Sequence, residues 1–166
     1  RHNVHDSPSV AIDDRLAARS MTTHLLDIGH RRIGFILGRE GHAATQERYA
    51  GFVEAMNAHR VRIDPELVLP GNFLFADGLV CAERLLGLPR PPTAIFASND
   101  DSAAAVVCHA RKLGIRLPED LSIAGFDDAP VATMIWPTLT TVRQPVAAMA
   151  RAATGLEVSV EIGEHH

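Results

Sequence analysis

Short apolar runs alternate with helix-length segments along almost the whole chain, and that alternation leaves few folds open. Ser9-Val10-Ala11-Ile12 reads as a strand, and Asp13 or Asp14 can cap a helix over about 15–28 that Gly29 ends. In that helix Leu16, Met21, Leu25, Leu26 and Ile28 recur near helical spacing. Ile33-Gly34-Phe35-Ile36-Leu37-Gly38 is a continuous apolar run, the pattern of a strand covered on both faces. A helix over about 44–60, a short strand near 67–69 and a helix over about 77–86 follow. Thr93-Ala94-Ile95-Phe96-Ala97 is the next strand, then comes a helix over about 101–113 closed by Gly114. Leu121 to Phe126 and Leu139 to Val142 read as further strands, and Pro145 opens a last helix to about residue 154. Strands and helices in strict alternation predict an α/β fold, an open parallel sheet with helices on both faces.

Composition narrows the function. Sixteen basic residues against twenty acidic ones leave a net charge of −4, and no Lys/Arg run exceeds pairs such as Arg31-Arg32. A free-standing nucleic-acid module carries a basic surface to neutralise phosphates, so these residues alone are not expected to hold DNA. No apolar run reaches the ~18 residues of a membrane span, so no membrane role is expected. Cys81 and Cys108 sit in Ala/Leu/Val-rich helical stretches and read as two buried free thiols, which fits a reducing cytoplasm. Residues 1–8 have no signal-peptide core.

In an open α/β sheet the ligand sits at the carboxyl ends of the strands. Here those ends carry Gly38-Arg39, then Gly71-Asn72-Phe73, then Ser98-Asn99-Asp100-Asp101, then Gly125-Phe126-Asp127-Asp128. An aromatic face, an amide and several carboxylates on one rim suit a small polyhydroxylated or heteroaromatic molecule. Arg48, one turn into the following helix, can add a forked pair of donors. For Asp101 and Asp128 a helix-cap or turn role is equally open, and Phe73 can also be core filling.

Chemistry of other kinds finds less support. The Asp pairs at 13–14, 100–101 and 127–128 could suggest acid/base work or a divalent metal. Neighbouring loop residues point apart, however, and no third ligand stands at a characteristic spacing. There is no H-E-x-x-H set, nucleophile elbow or phosphate-binding glycine loop. No enzymatic activity, cofactor or metal is expected.

Several longer stretches are identified as those of a known family. Leu25 to Phe35, with Gly29-His30-Arg31-Arg32-Ile33-Gly34 at its centre, resembles the helix-to-strand signature of LacI/GalR-type regulators. Arg48-Tyr49-Ala50-Gly51-Phe52 and Pro92 to Asp100 are similar to two further signatures. So is the block from Leu117-Pro118-Glu119-Asp120 through Asp127-Asp128 to Pro137-Thr138-Leu139-Thr140-Thr141.

The resemblance implies a periplasmic-binding-protein-like fold of two subdomains around an effector cleft. Residues 1–29 correspond to the end of the N-terminal subdomain and 30–158 to the C-terminal one. Residues 159–166 read as a tail, open to being tag-derived. The family's DNA-binding head has no counterpart here. By position, the resemblance makes Arg48, Phe73, Asn99, Asp127 and Gln144 effector contacts, with Asp13 and Ile12 bordering the cleft from the other subdomain. It implies a homodimer that binds a small effector, a sugar ahead of purines, nucleosides and sugar phosphates, and reaches operator DNA only through the head. Two alternatives stand beside it: a secreted sugar-binding protein of the same fold, and a small α/β enzyme using the paired aspartates. One departure from the pattern is the helix after Asn99-Asp100. It continues with Ser102, Ala103 and Ala105, where the family has a Met and a Gly, and this bears on dimer packing more than on ligand choice.

Overall fold

The computed structural model describes residues 13–143 and 162–163. The strand expected at residues 9–12, the helix opening at Pro145, and the site candidates Ile12 and Gln144 lie outside the described residues.

The elements run α1 (Asp14–Asp27), β1 (Ile33–Ile36), α2 (Ala43–Ala58), β2 (Val68–Leu69), α3 (Phe75–Leu86), β3 (Ala94–Ala97), α4 (Asp100–Lys112), β4 (Ser122–Asp127), α5 (Val131–Met134), β5 (Thr140–Arg143) and β6 (Ile162–Gly163). A 3-10 turn at Pro65–Leu67 leads into β2, capped by Asp64, whose side chain accepts from Glu66 N–H. Neither this turn nor the single helical turn α5 carries enough periodicity to be read from sequence.

The strands form one sheet in the order β2-β1-β3-β4-β5-β6. β1 to β5 pair in parallel and β6 joins the edge antiparallel, with Val142 opposite Ile162. Gly163, which the sequence places in the tail, pairs with Thr141 in the sheet. The alternation Val158, Val160, Ile162 was a strand pattern in the sequence.

Strand order explains where the helices go. The chain leaves β1 outward to β2 and then returns past β1 to β3, so a right-handed crossover puts α2 on one face and α3 and α4 on the other. The buried clusters follow that division. Phe35, Ala94, Phe96, Ala124 and Phe126 face α1 and α2, while Ile36, Ile95 and Ala97 face α3 and α4. Phe35 is the hub of the first layer, its ring 4.7 Å from Phe52 and 5.3 Å from Phe96 between centroids.

Ala17, Ala18, Met21, Leu25 and Leu26 of α1 share one core with Phe35, Phe52 and Phe96. Packing therefore joins α1 to the sheet that follows it. The two cysteines, both expected to be buried, differ. Cys81 is buried and its thiol donates to the Pro70 carbonyl, whereas Cys108 is exposed. Cys108 lies one heptad beyond exposed Asp101, on the outer stripe of α4.

Candidate functional site

The strand order reverses between β1 and β3, and in open α/β sheets the crevice outside the carboxyl ends at such a reversal is where ligands bind. Arg48 reaches it from α2. The residue is only 6% exposed, and its guanidinium lies 3.7 Å from the centre of the Phe126 ring. Nε donates to Asp14 Oδ1 at 3.0 Å, one terminal nitrogen donates to the Ser98 carbonyl at 2.5 Å, and the other donates to Asp127 Oδ1 at 3.2 Å. Two carboxylates and a carbonyl thus hold the fork in one orientation, tying α1, β3 and β4 together at the rim. Phe126 covers one face of the cation.

Phe73 sits beside this group with a left-handed backbone, φ 61°. Its ring occupies the space over Gly38, where a Cβ would fall 2.1 Å from Phe73 Cζ. The ring meets the His42 ring edge-on at 5.7 Å and lies 5.9 Å from the Arg48 guanidinium. Asn99 fixes the Phe73 segment from the end of β3: its Nδ2 donates to the Phe73 carbonyl at 2.7 Å. The same side chain caps α4, accepting from Ser102 N–H at 3.1 Å. Arg39 Nε donates to Asn72 Oδ1 at 3.1 Å across the rim.

Asp127 and Asp128 close the crevice on the β4 side. Both have positive φ, 109° and 55°, which turns consecutive side chains to different partners. Asp127 meets Arg48, and Asp128 accepts from Arg143 Nε at 2.8 Å.

Arg48, Phe73, Asn99 and Asp127 are therefore gathered on one rim. Asp13 stands at the end of α1, where its side chain accepts from Leu16 N–H at 2.9 Å as the N-cap. Sequence reading missed three participants. Asp14 was weighed as a cap or as half of an acid/base or metal pair, the Ser98 carbonyl is backbone, and Asp100 stood in the rim without its buried bonds to Thr141 and Ala129. The adjacent carboxylates of Asp13-Asp14 were the signal available for the first, since one can cap while its neighbour turns to a cation. Among the described residues no group of three or more His, Cys, Asp or Glu side chains is arranged to hold a metal ion.

The family described as periplasmic binding protein-like domain matches residues 22–160 of this sequence. The chain belongs to that family. Among curated proteins it is 37% identical over 158 residues to the HTH-type transcriptional repressor CytR of Escherichia coli K12, covering 95% of this chain and 46% of that protein. The chain thus spans about half the length of the curated relatives it matches. Among solved structures, a sugar-binding transcriptional regulator of the LacI family from Escherichia coli, complexed with phosphate, superposes with a TM-score of 0.82. It is 30% identical, and the match covers 93% of this chain and 56% of that one. A LacI-family regulatory protein from Chloroflexus aggregans matches at TM-score 0.82 and 35% identity, over 92% of this chain and 56% of that one. Over 92–93% of its length this periplasmic-binding-protein-like domain is thus similar to LacI-family regulators.

Proposed function

We propose that this domain is the sensing part of a LacI-type transcriptional repressor and that its effector binds at the β1/β3 crevice, a sugar being the first candidate. The observation that carries the reading is the placement of Arg48, Asp127, Asn99 and Phe73 on one rim at the strand-order reversal. Carboxylate, amide and guanidinium groups exchange hydrogen bonds with hydroxyls, and an aromatic ring covers the apolar face of a sugar or base. The sugar-binding description of one structural relative supports the same class. Asp13, and by position Ile12 and Gln144, complete the proposed set.

The relatives support the rest of the reading. Effector binding shifts the balance between two arrangements of the repressor by its differential affinity for them, and operator DNA is contacted through a separate head. The domain works in the cytoplasm, and its role is binding rather than catalysis. We also place a homodimer contact on the α3/α4 side of the sheet. There Leu74, Phe75 and Val80 beside α4, with Met134 and Trp136 on its other flank, leave large apolar groups exposed, Met134 at 79% and Trp136 at 69%.

A thermal-shift screen against sugars, sugar phosphates, nucleosides and purines tests the effector. A ligand at 100 times its Kd adds about 2.7 kcal/mol, several degrees for a domain of this size. One responding chemical class, lost in Asp127→Ala, is the expected result. A response that survives Asp127→Ala unchanged places the ligand elsewhere.

A further inference from the structure

Asp100 is the least expected side chain of the rim. It follows the capping Asn99 and is only 1% exposed, although it is a carboxylate. Both its oxygens are used. Oδ1 accepts from the Thr141 hydroxyl of β5 at 2.6 Å, and Oδ2 accepts from the Ala129 N–H beyond β4 at 2.7 Å. The carboxyl group lies flat on β4, where a Cβ on residue 125 would fall 2.2 Å from Asp100 Oδ1, so only glycine fits there. Thr141, itself fully buried, also accepts from Asp128 N–H at 3.3 Å.

These bonds converge on one short segment. Asp127 and Asp128, at φ 109° and 55°, occupy backbone conformations that are strained for residues other than glycine. Such a turn persists only where its surroundings hold it. Ala129 N–H is held by Asp100, Asp128 N–H by Thr141 and the Asp128 carboxylate by Arg143.

We propose that Asp100 is a positioning residue for the rim: it lies beneath the crevice and pins the 127–129 turn, so that Asp127 is aimed at Arg48. The inference rests on the proposed function only in taking Asp127 as an effector contact.

The charged groups around Asp100 make its state pH-dependent. Burial first, and then the charges of Asp127 and Asp128, raise its pKa to about 6 against the hydrogen bonds from Thr141 and Ala129. Arg48 from α2 and Arg143 from β5 meet the charges of Asp127 and Asp128, and Asp101 on the same helix is exposed.

NMR on the 166-residue chain, with no effector added, tests the proposal. Three-bond HN–Hα couplings at Asp127 and Asp128 report their φ angles, the Arg48 Nε–H signal reports the pair with Asp127, and the Ala129 amide shift follows Asp100 through pH 4–8. In the wild type the Ala129 amide should titrate with a midpoint near 6. Asp100→Asn should abolish that midpoint and keep the couplings, because the amide oxygen can accept from Ala129 while its NH2 donates to Thr141. Asp100→Ala should change both couplings and displace the Arg48 signal, whereas Asp101→Asn should leave all three readouts as they are. Wild-type couplings and an unmoved Arg48 signal in Asp100→Ala overturn the proposal. If Asp100→Ala does not fold, Thr141→Val decides: it should move the same couplings in the same direction by less, and unchanged couplings overturn the idea. Since no ligand enters the measurement, a failed effector screen counts against the proposed function alone.

Discussion

The guanidinium of Arg48 rests 3.7 Å from the centre of the Phe126 ring, so the cation that organises the rim stands on a core aromatic of β4. Its charge is met by Asp14 and Asp127, and its remaining bond goes to the Ser98 carbonyl. Arg48→Ala should therefore cost about 2–4 kcal/mol in urea unfolding, because it leaves two carboxylates and a carbonyl without their partner. Arg48→Lys keeps the charge but cannot make three divergent bonds, and should recover less than half of that loss. A variant within ~0.5 kcal/mol of wild type would show that the pairs are exposed enough to be replaced by water.

Gly38→Ala tests the seat of Phe73. A methyl group there would overlap the ring, which would have to leave its place beside Arg48 and His42. Stability should fall by about 1–3 kcal/mol, as for other overpacked sites. The Phe73 ring protons should lose the NMR shifts caused by the His42 ring. Unchanged ring shifts would mean that Phe73 is not seated as described.

Asp100 also sets a pH dependence of stability. Its folded pKa, about 6, lies above the 3.8 of the unfolded chain, so the folded state binds the extra proton between those values. This contribution is full below pH 3.8 and is lost as pH rises through 6. Urea midpoints of the wild type against Asp100→Asn should differ by a slope over pH 4–6 on the order of 1–3 kcal/mol, the wild type losing ground as pH rises. Parallel profiles would rule out the raised pKa.

His30 has the opposite sign. Its ring bridges Thr93 Oγ1 at 2.8 Å and Ser122 Oγ at 2.9 Å, and burial, followed by nearby His24, lowers its pKa from 6.5. Its contribution is present above pH 6.5 and is lost as pH falls through the lower folded value. His30→Ala should cost about 1–2 kcal/mol at pH 7.5. The deficit should shrink towards pH 5. A deficit that grows on acidification would mean that the ring is protonated in the fold.

Much of the architecture could be read before any coordinates. The runs Ile33 to Ile36 and Ala94 to Ala97 are apolar at every position because helices cover both faces of these strands. Helices α1 to α4 begin and end within about two residues of their expected bounds, since capping and periodicity are local properties. The 3-10 turn before β2, the single turn α5 and the pairing of β6 were missed, because they exist only through their neighbours.

The site divides in the same way. From sequence alone came the residue types and their place: Phe73, Asn99 and Asp127 at strand ends follow from the parallel order, and these three with Arg48 on the following helix from the family resemblance. Only the tertiary structure paired Arg48 with Asp14 as well as Asp127, seated Phe73 over Gly38 and buried Asp100 between Thr141 and Ala129. Those contacts join residues 26 to 79 positions apart, and a side chain's partner and its burial depend on what the folded chain brings beside it. Local sequence determines which conformation a segment prefers; it carries no record of the groups that will stand opposite it.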